Sequence, residues 1–236
     1  GIAHTVLGGM GAALYLQKAY HWEGVLPIHG ALLSAIAAAV IIGLVSLWAK
    51  EREDTVISAL WAVGMAVGII FISRTPGYNE DLMSYLFGNI LMVSGEDLQL
   101  LAGLAAVVAA LGILFYNQFL AVCFDHEFAR LRGVNVEAVY LLLLSLAALT
   151  VVVLATVVGI VMVIALLTLP VGIAGLLSTS MWRIMAVSAV LCGVFTTTGL
   201  FVSYGPDYPA GATTIIIAGV SYLVATILKW AFNRRG

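Results

Sequence analysis

The sequence predicts an all-α polytopic membrane protein with about eight spanning helices and one short re-entrant or interfacial helix. Three observations predict it. First, 63% of the residues are hydrophobic and 9% are charged, with a mean hydropathy of +1.12. A soluble domain carries about 25% charged residues. A chain this short cannot hide so much apolar surface in its own interior, so lipid must solvate most of it. Second, the apolar residues fall in runs at 2–17, 27–49, 55–73, 98–117, 138–158, 159–177, 184–203 and 212–230. Most match the roughly 20 residues a helix needs to cross a bilayer and are about twice as long as a barrel strand. Third, the Lys and Arg residues collect in alternate breaks between these runs, which is the pattern that orients a multi-pass protein.

Taken in order, the run 2–17 is a little short for a crossing, and no positively charged segment precedes it, so it is not a signal peptide. The chain is expected to open inside a helix whose natural beginning lies before Gly1. The run 55–73 contains Gly64-Met65-Ala66-Val67-Gly68, a small-xxx-small face that lets helix backbones approach closely. Gly8, Gly9, Gly11, Gly172 and Gly175 read the same way, as helix packing rather than substrate contacts. Leu82–Val93 is too short to cross and reads as the re-entrant or interfacial helix. A long polar break is expected at 118–137. The stretch 138–177 holds no charge over 40 residues, so it must be two crossings, with the turn at Gly159.

Lys50, Arg52, Arg130, Arg132, Arg183, Lys229, Arg234 and Arg235 mark one side of the membrane as cytoplasmic, including the C-terminus. The opposite breaks hold Glu23, Glu80, Asp81, Glu96, Asp97 and Asp207 against Lys18 and Arg74. This parity requires that 82–93 does not cross. The net charge of −2 offers no footprint for nucleic acid. Cys123 and Cys192 have no metal-ligand spacing and read as small apolar packers.

Four segments share a pattern. The first is Gly1-Ile2-Ala3-His4, followed by Gly8 and Gly9. The second is Tyr85-Leu86-Phe87-Gly88-Asn89, closing on Glu96-Asp97-Leu98. The third is Phe124-Asp125-His126-Glu127-Phe128-Ala129-Arg130-Leu131-Arg132-Gly133-Val134. The fourth is Leu166-Leu167-Thr168-Leu169-Pro170-Val171-Gly172-Ile173-Ala174, followed by Asp207-Tyr208-Pro209-Ala210-Gly211. Together they resemble the permease subunits of zinc, manganese and iron-chelate ABC importers, from His4 to Lys229. The Tyr-Leu-Phe-Gly segment is most similar to the bacterial zinc permeases. The resemblance implies a type II importer-like bundle filling residues 1–236, working as a homodimer in the bacterial cytoplasmic membrane. It implies an ATP-binding subunit on one side, an extracytoplasmic metal-binding protein on the other, and transported Zn2+ or Mn2+. It places a cytoplasmic coupling helix at 124–134. It also implies that the family's first helix and basic loop, roughly 50 residues, precede Gly1, together with an aspartate four residues before His4.

The residues support this chemistry on their own terms. An ionisable side chain inside a membrane helix is costly and by default faces a pathway or a partner, which singles out His4. Imidazole suits zinc, and imidazole with carboxylate suits manganese. His21, His29, Glu96, Asp97 and Asp207 fall on the outer side as entry candidates. The plainer readings are helix capping for Glu96 and Asp97 and turn formation at Asp207. In the third segment, Asp125 can cap a short helix with Glu127 in its first turn. Arg130 and Arg132 then fall in its last turn, and Gly133 stops it. No Gly-x-x-x-x-Gly-Lys-(Ser/Thr) loop occurs in the chain, so ATP hydrolysis is assigned to a separate subunit. A siderophore or cobalamin permease, an ion-coupled secondary transporter and an intramembrane hydrolase are the alternatives. No inverted repeat or nucleophile–base constellation supports the last two.

Overall fold

The computed structural model describes residues 1–22, 24–48, 53–75, 86–88, 93–205 and 208–233. Among the described residues the regular elements are all helical. They are α1 (Ile2–Tyr20), α2 (Pro27–Trp48), α3 (Glu53–Arg74), α4 (Gly95–Leu114), α5 (Tyr116–Phe124), α6 (His126–Leu131), α7 (Val136–Val158), α8 (Ile160–Leu177), α9 (Met181–Tyr204) and α10 (Ala210–Asn233). Each of the eight apolar runs corresponds to one long helix. Seven of them, α2, α3, α4, α7, α8, α9 and α10, are long and apolar enough to cross a membrane. The eighth, α1, has 19 residues and includes His4, Gln17 and Lys18. It compensates by being wrapped in protein: nine of its 19 residues are buried. The expected re-entrant segment 82–93 lies mostly outside the described residues, which include only Leu86, Phe87 and Gly88 of its central part.

The chain divides into two compact units, 1–80 with 94–154 and 81–93 with 155–236. In the first, α1 lies against both α2 and α3. The contact is made by glycines facing glycines. A Cβ on Gly8 would stand 2.7 Å from the Gly64 carbonyl oxygen, and one on Gly11 would stand 2.8 Å from that of Gly68. On the other side, Gly9 and Gly30 meet backbone to backbone. Real Cβ atoms do not approach so closely, so these positions exclude any side chain. The small-xxx-small reading is borne out here, and its partner is α1. Alanines Ala31, Ala35, Ala38 and Ala39 complete the seam from α2.

In the second unit, α8, α9 and α10 pack around Ile173, Phe195 and Ala218. Gly172 admits the Tyr222 ring, whereas Gly175 faces open space. Pro170 sits inside α8 and cannot donate to the carbonyl four residues earlier, that of Leu166. The Cys192 thiol on α9 donates to that same carbonyl at 3.4 Å. An orphan carbonyl in lipid is costly, and the thiol removes the orphan. Cys192 is therefore more than a packer, and Cys123, which is exposed, is not one either.

Gly159 separates α7 from α8 with φ +81, a conformation that strongly favours glycine. The helix boundary thus falls where the sequence expected it. A Cβ there would lie 2.7 Å from the Leu86 carbonyl oxygen. Gly88, also at positive φ, faces Val158 and Gly159, and Gly211 at the start of α10 meets the Phe87 carbonyl. The Leu86-Phe87-Gly88, Gly159 and Ala210-Gly211 segments, distant in sequence, meet there through bare backbone.

Candidate functional site

His4 occupies the first turn of α1, one residue before Thr5 and four before the Gly8 contact. Its ring stands edge-on to Trp61 of α3, with centroids 5.4 Å apart and planes at 81°. Its Nδ1 is shielded from solvent and has no hydrogen-bond partner among the described residues. A buried polar nitrogen left unpaired costs on the order of 1–3 kcal/mol, so an acceptor or a ligand for it has physical value. An open groove of about 350 Å3 begins beside it, between α1, α2 and α3. Thr5 and Ser34 are its two hydroxyl-bearing residues, and both hydroxyls donate to carbonyls of their own helices, at 2.7 and 3.0 Å. The remaining lining is glycine and aliphatic, so the groove itself offers no metal-ligating side chain and His4 stands beside it. Among the described residues no three His, Cys, Asp or Glu side chains converge.

The other predicted residues are dispersed. His21 ends α1 in the left-handed conformation, at φ 55. The His29 Nδ1 accepts from the Leu26 backbone N–H at 3.3 Å, at the start of α2. Ser94, not Glu96 or Asp97, is the cap of α4. Ser94 Oγ accepts from the Asp97 N–H at 3.1 Å while the Asp97 carboxylate accepts from the Ser94 N–H at 3.0 Å. This reciprocal box satisfies donors that a helix start leaves free. Asp97 is thereby occupied, and Glu96 remains exposed beside it. Asp207 lies outside the described residues.

The segment 124–134 is built as its sequence suggests, with two corrections. The expected break at 118–137 is narrower, because α5 continues the helix to Phe124. Asn117 and Gln118 look like a polar interruption, but a helix that has left the hydrocarbon tolerates them. Arg132 is the C-terminal cap of α6 rather than part of its last turn. Asp125 caps α6, its Oδ1 accepting from the N–H groups of Glu127 and Phe128 at 2.9 and 3.1 Å. Gly133 stops the helix at φ +78. Arg130 pairs with Glu137 at the start of α7. Ala129 is fully buried with Val122, Val136 and Val139, and Leu47 and Tyr140 pack on that small core. The elbow α5–α6–α7 is therefore a braced platform. Its outer face is apolar: Phe124 is 77% exposed, Phe128 49% and Leu131 88%. Phe124 ends α5, and Phe128 and Leu131 lie on α6, three large apolar residues exposed in an otherwise polar stretch. Trp61 offered no signal in the sequence, since its contact with His4 joins helices 57 positions apart.

With the helices and the site described, the chain can be set beside known proteins. A model of the ABC 3 transport family matches residues 1–229. The chain belongs to the ABC 3 transport family. This ABC 3 chain is 41% identical over 232 residues to a probable metal transport system membrane protein of Chlamydia trachomatis, covering 98% of this chain and 79% of the relative. It is 34% identical over 226 residues to the manganese transport system membrane protein MntC of Halalkalibacterium halodurans, covering 95% of this chain and 74% of that one. The solved structure of PsaBC from Streptococcus pneumoniae in complex with a Fab superposes with a TM-score of 0.77. The two share 26% identity, covering 94% of this chain and 79% of that one. The ABC 3 chain is thus a multi-pass membrane permease of the transport-component type, and the family resemblance read from its motifs holds.

Proposed function

We propose that this permease is the membrane subunit of an ATP-driven importer that moves divalent metal ions, manganese or zinc, into a bacterial cell by alternating access. The observation that carries the reading is His4: an intramembrane imidazole with a shielded, unpartnered nitrogen, on a helix that glycine contacts hold tightly in place. Such a group can bind an ion in passing without a resident cluster. The MntC relative is named for manganese, which favours manganese as the first ion to test over the zinc suggested by the Tyr-Leu-Phe-Gly segment.

In this reading the permease acts as a homodimer in the cytoplasmic membrane with its C-terminus inside. An extracytoplasmic metal-binding protein delivers the ion. His21, His29, Glu96 and Asp207 lie on the entry side, where carboxylates raise the local cation concentration. A separate ATPase subunit docks on 124–134, and Asp125, Glu127, Ala129, Arg130, Arg132 and Gly133 shape that docking segment. Because α6 is braced to α5 and α7, force applied to it passes into two helices rather than into a loose loop.

The test is uptake of labelled manganese and labelled zinc into proteoliposomes holding the full-length permease, its ATPase and its binding protein, with and without His4→Ala. ATP-dependent uptake of one ion that His4→Ala abolishes, with the assembly intact, supports the reading. Uptake of neither ion while the permease still stimulates its ATPase overturns it in favour of a chelate importer.

A further inference from the structure

The ATPase-docking face holds a feature that a simple helix-in-groove contact does not use. Between α5 and α6 opens a cleft of about 600 Å3, lined by Gln118, Leu120 and Phe124 on one wall and Phe128 and Arg132 on the other. Its polar lining residues, Asn117, Gln118, Asp125 and Arg132, argue against lipid tails as the occupant. The apolar run 98–117 already supplies the roughly 20 residues of a crossing. From Gln118 to Phe124, α5 extends about 10 Å beyond that run. Phe124 and Phe128 therefore stand in water unless a protein covers them, and a contiguous apolar face in water marks a contact surface.

The charges select the partner's chemistry. Arg130 is paired with Glu137. Asp125, also on the cleft wall, is engaged at the start of α6 through its Oδ1. The Arg132 guanidinium lies 5.1 Å from the centre of the Phe128 ring and has no carboxylate partner among the described residues. A cation stacked on an aromatic at the mouth of an apolar cleft can pair with a carboxylate, and the stacking pre-orders it for that pairing.

Building on the proposed docking at 124–134, we infer that the contact is reciprocal. Leu131 of the permease inserts into the ATPase, while the ATPase inserts an apolar side chain, flanked by a carboxylate that pairs with Arg132, into the α5–α6 cleft. An interlock of this kind resists pulling as well as pushing, because each partner holds a residue of the other. A lone knob in a groove transmits force in one direction only.

The experiment uses the full-length permease in nanodiscs with its ATPase. A photo-crosslinking phenylalanine analogue replaces Gln118, and the crosslinked residue is mapped by mass spectrometry. In parallel, ATPase affinity is measured for Gln118→Trp, which fills the cleft, for Arg132→Glu, and for Leu131→Asp. The expected result is a crosslink to an ATPase residue within a few positions of an Asp or Glu, with about tenfold weaker binding for the first two variants. A crosslink to phospholipid alone, or unchanged affinity of Gln118→Trp and Arg132→Glu while Leu131→Asp loses binding, overturns the interlock and leaves the docking segment standing. Unchanged affinity for all three variants, with no ATPase crosslink, overturns both the interlock and the docking assignment on which it rests.

Discussion

Helices α1 and α4 are neighbours in length, at 19 and 20 residues, and opposites in surroundings: nine residues of α1 are buried and none of α4 is. The more hydropathic helix is the exposed one. This inversion follows from the solvent. In lipid, leucine gains nothing by leaving the surface, so helices associate where small residues let their backbones touch. Between these two helices burial follows close glycine contact rather than hydrophobicity: the glycines of α1 meet other backbones, whereas Gly103 and Gly112 of α4 meet nothing within 4 Å. Such contact surrounds the helix that carries His4, whereas α4, α5 and α6 form an arm whose surface is largely exposed.

Substitutions that are equivalent on paper should break this comparison in predictable ways. The largest effect belongs to Gly9→Val, which drives a side chain into the Gly30 backbone and should destabilise the fold by about 3 kcal/mol or prevent its assembly. The matching change on the arm, Gly103→Val, meets nothing within 4 Å. Thermal unfolding of the two purified variants should differ sharply, and equal midpoints would dissolve the contrast. Next comes Leu131→Asp, which should weaken ATPase binding about thirtyfold while leaving the unfolding midpoint unchanged. A drop in stability instead would recast the arm as core. Asp125→Ala removes the cap of α6 and should cost about 1 kcal/mol locally, visible as faster hydrogen exchange over 126–131 with α1 undisturbed. The smallest effect is that of Arg130→Gln. Its ion pair with Glu137 is well exposed, and such pairs contribute little. Its unfolding midpoint should stay at the edge of detection, and a clear fall would mean the pair braces the elbow more than its exposure suggests.

Much of this was legible in the sequence because the bilayer imposes a length on every crossing. Hydropathy alone placed eight helices, and the uncharged stretch 138–177 had to be divided, with Gly159 the one residue suited to the break. Asp125, Glu127 and Gly133 announced a capped helix because their roles are local. What escaped was non-local. The sequence showed glycines on α1 and α3 but not that they face one another. It showed Pro170 but not which group would answer the carbonyl it frees, since Cys192 lies a helix away. It marked His4 as costly in a membrane but could not supply Trp61. The arm was misjudged at 118–124 for a different reason: polarity at Asn117 and Gln118 signals the end of the membrane, and the end of the membrane is not the end of the helix.

The Lys229 ammonium on α10 donates to the Leu176 carbonyl in the last turn of α8 at 2.7 Å. A lysine near the end of a membrane helix biases that end toward the cytoplasm during insertion. It can also satisfy the terminal carbonyls of a helix and complement its dipole. One side chain therefore joins two properties, a positive charge of the kind that orients a helix during insertion and a donor that fastens α10 to α8. A glutamine at this position would keep a donor for the carbonyl but lose the charge, so its defect should surface as misassembly during biogenesis rather than as loss of a mature activity.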